Sequence, residues 1–475
     1  MTSGFILALV VYAAVLLAAG LGLGRGQASI ESFFLASRRL GAGRVAFSLC
    51  ASWIGAASLL VSTDEACREG ASAIWIVGVP AVATLLLLAA LVRPVRAAAG
   101  RTPSELMRDR YGRTAGALTT VLVVWYMTAL AASQMVAAGP FLGAFLGTGR
   151  LVSLALAAAL VIAYSAAGGL QAVARTHVLQ FALLVAGVGG MIASLAARVS
   201  WGAVRTAAAA SSRGGSFFDP FAGGGRSVLI ALSFVLAWTI SPIAWQRMQA
   251  ARSERAARLG TAAAAALLGA FYAAIVAAGM LFRPLFPDGG TGTPLVTRFV
   301  AAEAGSFLGG LLFVTVLAAI FSTMDAALNA GAFTLTRDLL GRPSGSSAAG
   351  RPLLLGRTAT AVLALAALLV AARLGDILKT LGLASAIMAE GLLIPGLAAL
   401  FIKKRAPLAG ILGLALGGGH AILSFLSEAG LHFLPVPAWP RSLPLGVALG
   451  AAGFLAGLVL ERARQARPDR RAPAA

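Results

Sequence analysis

The sequence predicts an all-α protein that crosses a membrane many times, and three observations lead to this prediction. Hydrophobic residues make up 59% of the 475 residues and charged residues only 12%, whereas soluble domains are about 45–50% apolar and about 25% charged. The apolar runs match the roughly 20 residues that one spanning helix needs. They lack the alternation over about 10 residues that marks a membrane β-barrel. This composition excludes a soluble enzyme, a disordered chain and a fibre.

Thirteen apolar runs are long enough to be spanning helices, in a single transmembrane domain covering 1–475. The first run has no basic residue before it and exceeds the apolar region of a signal peptide, so we expect it to be retained. The longest connection, near 198–225, is rich in Gly and Ser. The predicted spans lie near 4–24, 45–63, 73–94, 115–139, 150–166, 173–197, 226–246, 258–282, 305–335, 353–372, 377–400, 407–426 and 442–460.

The distribution of basic residues predicts the orientation. The net charge of +21 is spread in short clusters between apolar runs, which argues against nucleic-acid binding. Of the 38 Lys and Arg residues, 27 fall in one alternate set of connections, which includes 247–258, and 11 in the other. The positive-inside rule then places the N-terminus outside and the C-terminus in the cytoplasm. An odd number of spans requires the termini to lie on opposite sides.

Two of the predicted helices contain residues that interrupt a helix. Gly55 lies within a segment of small and hydroxyl residues and tolerates irregular backbone. Pro242 removes a helix hydrogen bond. The alternative is ordinary close packing at Gly55 and a simple kink at Pro242. After the leading helix, the two are the first and sixth of ten helices, a placement typical of secondary transporters with inverted five-helix repeats.

This placement divides the chain into repeats. We expect a leading helix, two repeats, two trailing helices and a basic cytoplasmic tail. The corresponding ranges are 4–24 for the leading helix, 45–246 for the first repeat with the start of the second, 226–400 for the second repeat, 407–460 for the trailing helices and 461–475 for the tail.

The ninth span carries a cluster of oxygen donors. Ser322 and Thr323 are adjacent hydroxyl residues, and Ala319 lies one turn earlier on the same face. Hard oxygen ligands of this kind suit Na⁺. The alternative is that both hydroxyls bond to carbonyls of the preceding turn. Asp325 and Asn329 add a carboxylate and an amide one turn apart.

The sequence contains no phosphate-binding G-x-x-x-x-G-K-[ST] motif, catalytic triad or zinc motif. We therefore expect a protein that is not an enzyme and has no catalytic residues. Transport driven by ATP within this chain is excluded by the same absence. The energy for transport must then come from an ion gradient.

Several blocks of sequence resemble the sodium:solute symporter family, which includes proline, pantothenate, sugar and monocarboxylate cotransporters. The resemblance implies a LeuT-type fold with one extra leading helix and two trailing helices, and Na⁺-coupled uptake by alternating access. The blocks are FFLASRRLG (33–41) leading into SLCASWIGAASLL, GRTPSELMRDRYG (100–112), AYSAAGGLQAVARTHVLQ (163–180), WQRMQAARSERAAR (245–258) and STMDAALNAGAFTLTRDL (322–339).

The resemblance also implies site residues. The Na⁺ ligands would be the carbonyls of Ala51, Ile54 and Ala319 and the hydroxyls of Ser322 and Thr323. The positions that match the family's substrate contacts are Ser58, Phe234, Trp238 and Pro242.

One residue departs from the family pattern. His177 stands where the family often has Asp, which puts a second Na⁺ in doubt. Because histidine titrates near neutral pH, His177 and Asp325 are candidates for proton coupling. The alternative is a structural histidine.

We therefore expect a Na⁺-coupled symporter of a small organic solute in a bacterial cytoplasmic membrane. The expected partners are the solute, Na⁺ and the lipid bilayer. An amino acid or a short carboxylate is favoured over a sugar, because few carboxamides lie near the breaks. Gln134 and Asn329 are the main ones. Two alternatives stay open: a proton-coupled carrier, and a transporter-like membrane sensor that acts with a partner protein.

Overall fold

The computed structural model describes residues 2–24, 38–98, 102–211, 213–290, 292–340, 350–402, 405–431 and 435–466. In these ranges the regular structure is helical, apart from an isolated β-bridge between Leu40 and Ala251. The helices are α1 (Thr2–Gly24), α2 (Ala42–Trp53), α3 (Ser62–Glu69), α4 (Gly78–Ala90), α5 (Val92–Ala97), α6 (Pro103–Tyr111), α7 (Arg113–Leu146), α8 (Arg150–Arg198), α9 (Trp201–Ala209), α10 (Gly224–Thr239), α11 (Pro242–Ala250), α12 (Glu254–Phe282), α13 (Leu295–Ala302), α14 (Phe307–Leu340), α15 (Gly350–Arg373), α16 (Ile377–Ala386), α17 (Leu393–Phe401), α18 (Pro407–Glu428) and α19 (Leu443–Ala466).

The helices are long and apolar enough to form a membrane-spanning bundle. Among the described residues, nine helical segments pass that test, or ten if the bent pair α10–α11 counts as one span. Two shorter apolar helices, Ser3–Ala18 and Arg150–Ser165, accompany them. The all-α membrane class is therefore confirmed. The count of thirteen spans and the orientation of the termini stay predictions.

Helix α8 differs from the two separate spans predicted at 150–166 and 173–197. Helical geometry continues over its 49 residues. Its first residue, Arg150, donates to two carbonyls at the end of α15. Its last residue, Arg198, forms an ion pair with Glu303, just before α14 begins. Helix α8 therefore packs against both α14 and α15.

A π-helical turn at Ile387–Leu392 joins α16 to α17 within the span predicted at 377–400. It carries Glu390, whose Oε2 lies 2.8 Å from Nδ1 of His420 on α18. Gly446 of α19 packs against this carboxylate so closely that a Cβ there would overlap it. The π turn and the glycines of α18 and α19 therefore enclose the buried pair of Glu390 and His420.

The connection predicted at 198–225 is structured. It contains α9 and a 3₁₀ turn at Gly214–Phe218. Phe217 is fully buried against Gly70, whose φ of 71° and contact with the Phe217 backbone leave no room for a side chain. Arg213 forms an ion pair with Glu69. These contacts hold the connection against the end of α3.

Candidate functional site

The first break lies between α2 and α3. Ile54 and Gly55 lack helical geometry, and a π-helical turn at Ala57–Val61 follows. A break leaves backbone donors that need new partners. Oε1 of Gln134, on α7, accepts the Ala56 N–H at 2.8 Å. A Cβ on Gly55 would lie 2.7 Å from this Oε1 atom, so glycine permits the close approach.

The second break lies between α10 and α11, which meet at a bend of 44°. Pro242 is the first residue of α11, where the missing N–H is tolerated. The side chain of Ser241 caps this helix. The indole N–H of Trp245 donates to the Thr239 carbonyl at 3.1 Å. Both helices with predicted interruptions are therefore broken in the structure.

The two breaks face each other across a cavity of about 40 Å³. The ring centroids of Trp53 and Trp238 are 5.3 Å apart. The described residues that line the cavity are uncharged and combine hydroxyls, aromatic rings and one carboxamide. They are Ser52, Trp53, Gly55, Ala57, Ser58, Val77, Tyr126, Leu130, Gln134, Trp238, Ser241, Ile243, Thr323 and Leu381.

The residues expected to bind Na⁺ meet at the first break. Ser322 donates its hydroxyl proton to the Ala51 carbonyl at 2.7 Å, and its oxygen lies 3.2 Å from the Ala319 carbonyl. Thr323 Oγ1 is buried and has no hydrogen-bond partner. It would lie 3.0 Å from a Cβ built on Gly55. Of the two hydroxyls, that of Ser322 is within hydrogen-bond distance of a carbonyl of the preceding turn, and that of Thr323 makes no such bond.

Ile54, the remaining expected ligand, lies in the break itself. Its φ of −88° and ψ of 83° differ from helical values, while its N–H still donates to the Cys50 carbonyl. Its side chain is fully buried. Ile54 thus directly precedes Gly55, the residue that Thr323 Oγ1 approaches.

Of the four residues expected to contact solute, two line the cavity and two lie outside its lining. Ser58 and Trp238 line the cavity, and Ser58 Oγ is 2.7 Å from the Tyr272 hydroxyl. Phe234 stacks on Trp238 with centroids 4.8 Å apart, so it supports the indole from outside the lining. Pro242 also lies outside the lining, between Ser241 and Ile243, which belong to it.

His177 and Asp325 form a buried pair away from the cavity lining. Nε2 of His177 lies 3.0 Å from Oδ1 of Asp325, and Nδ1 lies 3.1 Å from Ser48 Oγ. Asp325 Oδ2 has no hydrogen-bond partner. Both residues of the pair are fully buried. A structural pair and a proton-binding pair are both compatible with this arrangement.

The prediction that Arg247 belongs to the connection at 247–258 was wrong. Arg247 lies on α11, fully buried, and donates to Oε1 of Gln246 at 2.8 Å. Gln246 in turn donates to Asn329 at 2.9 Å, so Asn329 serves this network and is not part of the cavity lining. The sequence signal for the burial of Arg247 was its position directly after an interrupted apolar helix.

Tyr126 and Tyr272 were missed. Tyr126 lines the cavity together with Ser241 of the second break. Tyr272 binds Ser58, and its hydroxyl also donates to the Trp53 carbonyl at 3.2 Å. Each is a polar ring inside an apolar run. That pattern is also typical of ordinary core tyrosines.

Comparison with known proteins identifies the family. A model of the sodium:solute symporter family matches residues 33–417. The sodium/iodide cotransporter of Homo sapiens is 31% identical over 187 residues. This match covers 38% of the chain and 28% of that relative, so the chain spans under a third of the relative's length.

Solved structures show the fold. A Na⁺-coupled sialic acid symporter in a substrate-bound outward-open state has a TM-score of 0.79 at 17% identity, covering 96% of this chain and 97% of its own. The nucleobase-cation-symport-1 family transporter MHP1 has a TM-score of 0.54 at 18% identity, covering 90% and 94%. A manganese transporter of Eremococcus coleocola has a TM-score of 0.54 at 14% identity, covering 88% and 92%. These matches confirm the LeuT-type fold.

Proposed function

Because the chain belongs to the sodium:solute symporter family, we propose that it carries a small organic solute through the cavity between the two breaks, driven by Na⁺ bound beside it. The protein is a transporter and not an enzyme, and Na⁺ is its coupling ion. One observation carries the proposed site. Thr323 lines the cavity and lies next to Ser322, so one hydroxyl borders both the ion ligands and the solute space.

Ion binding requires a rotation of the Ser322 hydroxyl. A serine hydroxyl has one proton and two lone pairs. The proton now points to the Ala51 carbonyl. Na⁺ between these two oxygens would turn the proton away and recruit both as ligands, with Thr323 Oγ1 as a further ligand. The ion would then join the broken α2 to the intact α14 in place of the direct hydrogen bond.

The membrane potential supplies the driving force. Each Na⁺ that moves inward gains roughly 2.3 kcal/mol per 100 mV. A tenfold concentration ratio corresponds to about 1.4 kcal/mol. One Na⁺ per solute is therefore enough to concentrate a neutral solute tens-fold.

The cavity favours an amino acid or a short carboxylate. Its aromatic walls accept an apolar part, and its hydroxyls and the Gln134 carboxamide accept a polar part. A solute carboxylate would find its counter-charge in the neighbouring Na⁺. Iodide and sialic acid, the solutes in the names of two similar proteins, are also anions. They support this class without identifying the solute.

The first experiment measures the thermal stability of the purified protein in detergent, with Na⁺ against matched K⁺. A ligand that binds only the folded state raises its stability as ligand concentration exceeds Kd. We expect a saturable shift specific for Na⁺, and then Na⁺-dependent uptake of one member of an amino-acid and carboxylate panel by proteoliposomes. An equal shift in Na⁺ and K⁺ contradicts the proposed ion site.

Proton coupling is the second candidate, and the His177–Asp325 pair favours it. In that case a pH gradient alone would drive uptake in the absence of Na⁺, and His177→Gln would abolish this uptake. Uptake that needs Na⁺ and does not depend on the pH gradient would leave the pair a structural role.

We also propose the two-repeat division of the chain, an N-terminus on the outside and a location in a bacterial cytoplasmic membrane.

A further inference from the structure

Two cavities on the outer surface of the bundle form one continuous groove. The first, of about 380 Å³, lies between α6, α7 and α14. The second, of about 480 Å³, continues along α7 towards α15 and α18. Thr120, Val121 and Leu335 line both cavities. We call the first cavity the polar end of the groove and the second its apolar shaft.

The apolar shaft faces outward from the bundle. Val121 and Val362 on its walls are 54% and 52% exposed. Trp125 and Phe425 also line it, with ring centroids 5.6 Å apart in an edge-on arrangement. Thr120 and Thr128 are the hydroxyl residues among its described lining, which is otherwise apolar. In a membrane, such a surface is covered by hydrocarbon.

The polar end carries two cations and one carboxylate. Arg113 is exposed and forms no ion pair with a described residue. Arg108 is 39% exposed in its side chain, with its nearest acid atom on Glu105 at 3.8 Å. The Asp338 carboxylate accepts a hydrogen bond from the Thr120 hydroxyl. An occupant of this end must therefore combine an anion with hydrogen-bond donors.

We propose that the groove binds an anionic phospholipid with a hydroxylated headgroup, of the phosphatidylglycerol class. One acyl chain lies in the apolar shaft. The phosphodiester lies against Arg108 and Arg113, and the glycerol hydroxyls donate to Asp338. This end is predicted to face the cytoplasm, where anionic lipids attract basic groups between helices. The proposal does not depend on which solute is carried.

The test titrates the purified full chain with dioleoyl phosphatidylglycerol and follows its thermal stability. Dioleoyl phosphatidylcholine and soluble glycerophosphoglycerol are the comparison ligands. We expect a saturable rise in stability with phosphatidylglycerol alone. An equal response to phosphatidylcholine would overturn the need for an anion. An equal response to glycerophosphoglycerol would show that a free phosphodiester suffices, and would overturn the lipid assignment.

Variants separate a built site from general surface charge. Arg113→Gln is expected to weaken phosphatidylglycerol binding about fivefold. Arg464→Gln, which removes an exposed cation near the end of α19 outside the groove, is the matched control and is expected to change nothing. Equal weakening in both variants would overturn the site. A loss of stability in Arg113→Gln without any lipid would show that the chain itself occupies the polar end, and would also overturn it.

Two more variants test the remaining contacts. Val121→Trp fills the shaft at an exposed position and is expected to abolish the response to phosphatidylglycerol while stability in phosphatidylcholine is kept. An unchanged response overturns the acyl-chain placement. Asp338→Asn is expected to remove the preference for phosphatidylglycerol over phosphatidic acid, which lacks headgroup hydroxyls. A preserved preference overturns the hydroxyl contact.

Discussion

Gln134 and Ala56 are joined by a hydrogen bond of 2.8 Å, from the backbone N–H of Ala56 to Oε1 of Gln134. The bond supplies a partner for a donor at the break and ties α7 to the point where α2 is interrupted. The Gln134 amide group also donates to Ser133 Oγ at 3.0 Å. Because Gln134 lines the cavity, a solute that engages this side chain also acts on the break.

Gly55→Ala is expected to reduce transport at least tenfold. The added Cβ would lie 2.7 Å from Gln134 Oε1 and 3.0 Å from Thr323 Oγ1, so both side chains must shift. Overpacking of this kind lowers the free energy of unfolding by about 1–3 kcal/mol. Uptake by proteoliposomes and thermal unfolding measure the two effects. The control is Gly43→Ala, where a Cβ meets nothing within 4 Å. Full transport activity in Gly55→Ala would contradict a tight contact at the break.

The double variant Ser322→Ala with Thr323→Ala is expected to raise the Na⁺ concentration for half-maximal uptake at least tenfold. It removes two hydroxyl ligands, while only Ser322 donates a hydrogen bond within the protein. Stability without Na⁺ should therefore fall by only about 1 kcal/mol. Thr334→Ala is the control, since that buried hydroxyl on α14 bonds to the Ala330 carbonyl. Unchanged Na⁺ dependence in the double variant would remove the proposed ion site.

Asp325→Asn is expected to lower the free energy of unfolding by about 1–3 kcal/mol, because it removes the carboxylate that lies 3.0 Å from Nε2 of His177 in a fully buried pair. Chemical unfolding in detergent measures the change. Asp219→Asn, at an exposed carboxylate in the connection before α10, should have little effect. Equal stability of Asp325→Asn and the parent protein would show that the pair with His177 does not stabilise the fold.

Gly446→Ala is expected to destabilise the trailing helices by about 1–3 kcal/mol. The new Cβ would overlap the Glu390 carboxylate and displace it from His420. Gly419→Ala on the neighbouring α18 meets nothing within 4 Å and is the control. A melting temperature that is lowered equally by both substitutions would contradict this local explanation.

Local chemistry made the two breaks predictable. Gly55 and Pro242 each act through their own backbone, so one residue is enough to indicate an interruption. The burial of Arg247 and the pairing of Glu390 with His420 depend on contacts between different helices. Such contacts join residues far apart in the sequence, as His177 and Asp325 do over 148 positions. Patterns read along one helix do not contain them.

The Trp53 and Trp238 rings give the protein an intrinsic optical signal. One indole precedes the break after α2 and the other belongs to α10, so each is attached to a different interrupted helix. Excited-state exchange between indoles depends steeply on their separation and angle, which here are 5.3 Å and 51°. Rocking of one helix against the other would change this geometry and, with it, the polarisation of the indole emission. Fluorescence anisotropy of the unlabelled protein can therefore report on the opening of the cavity.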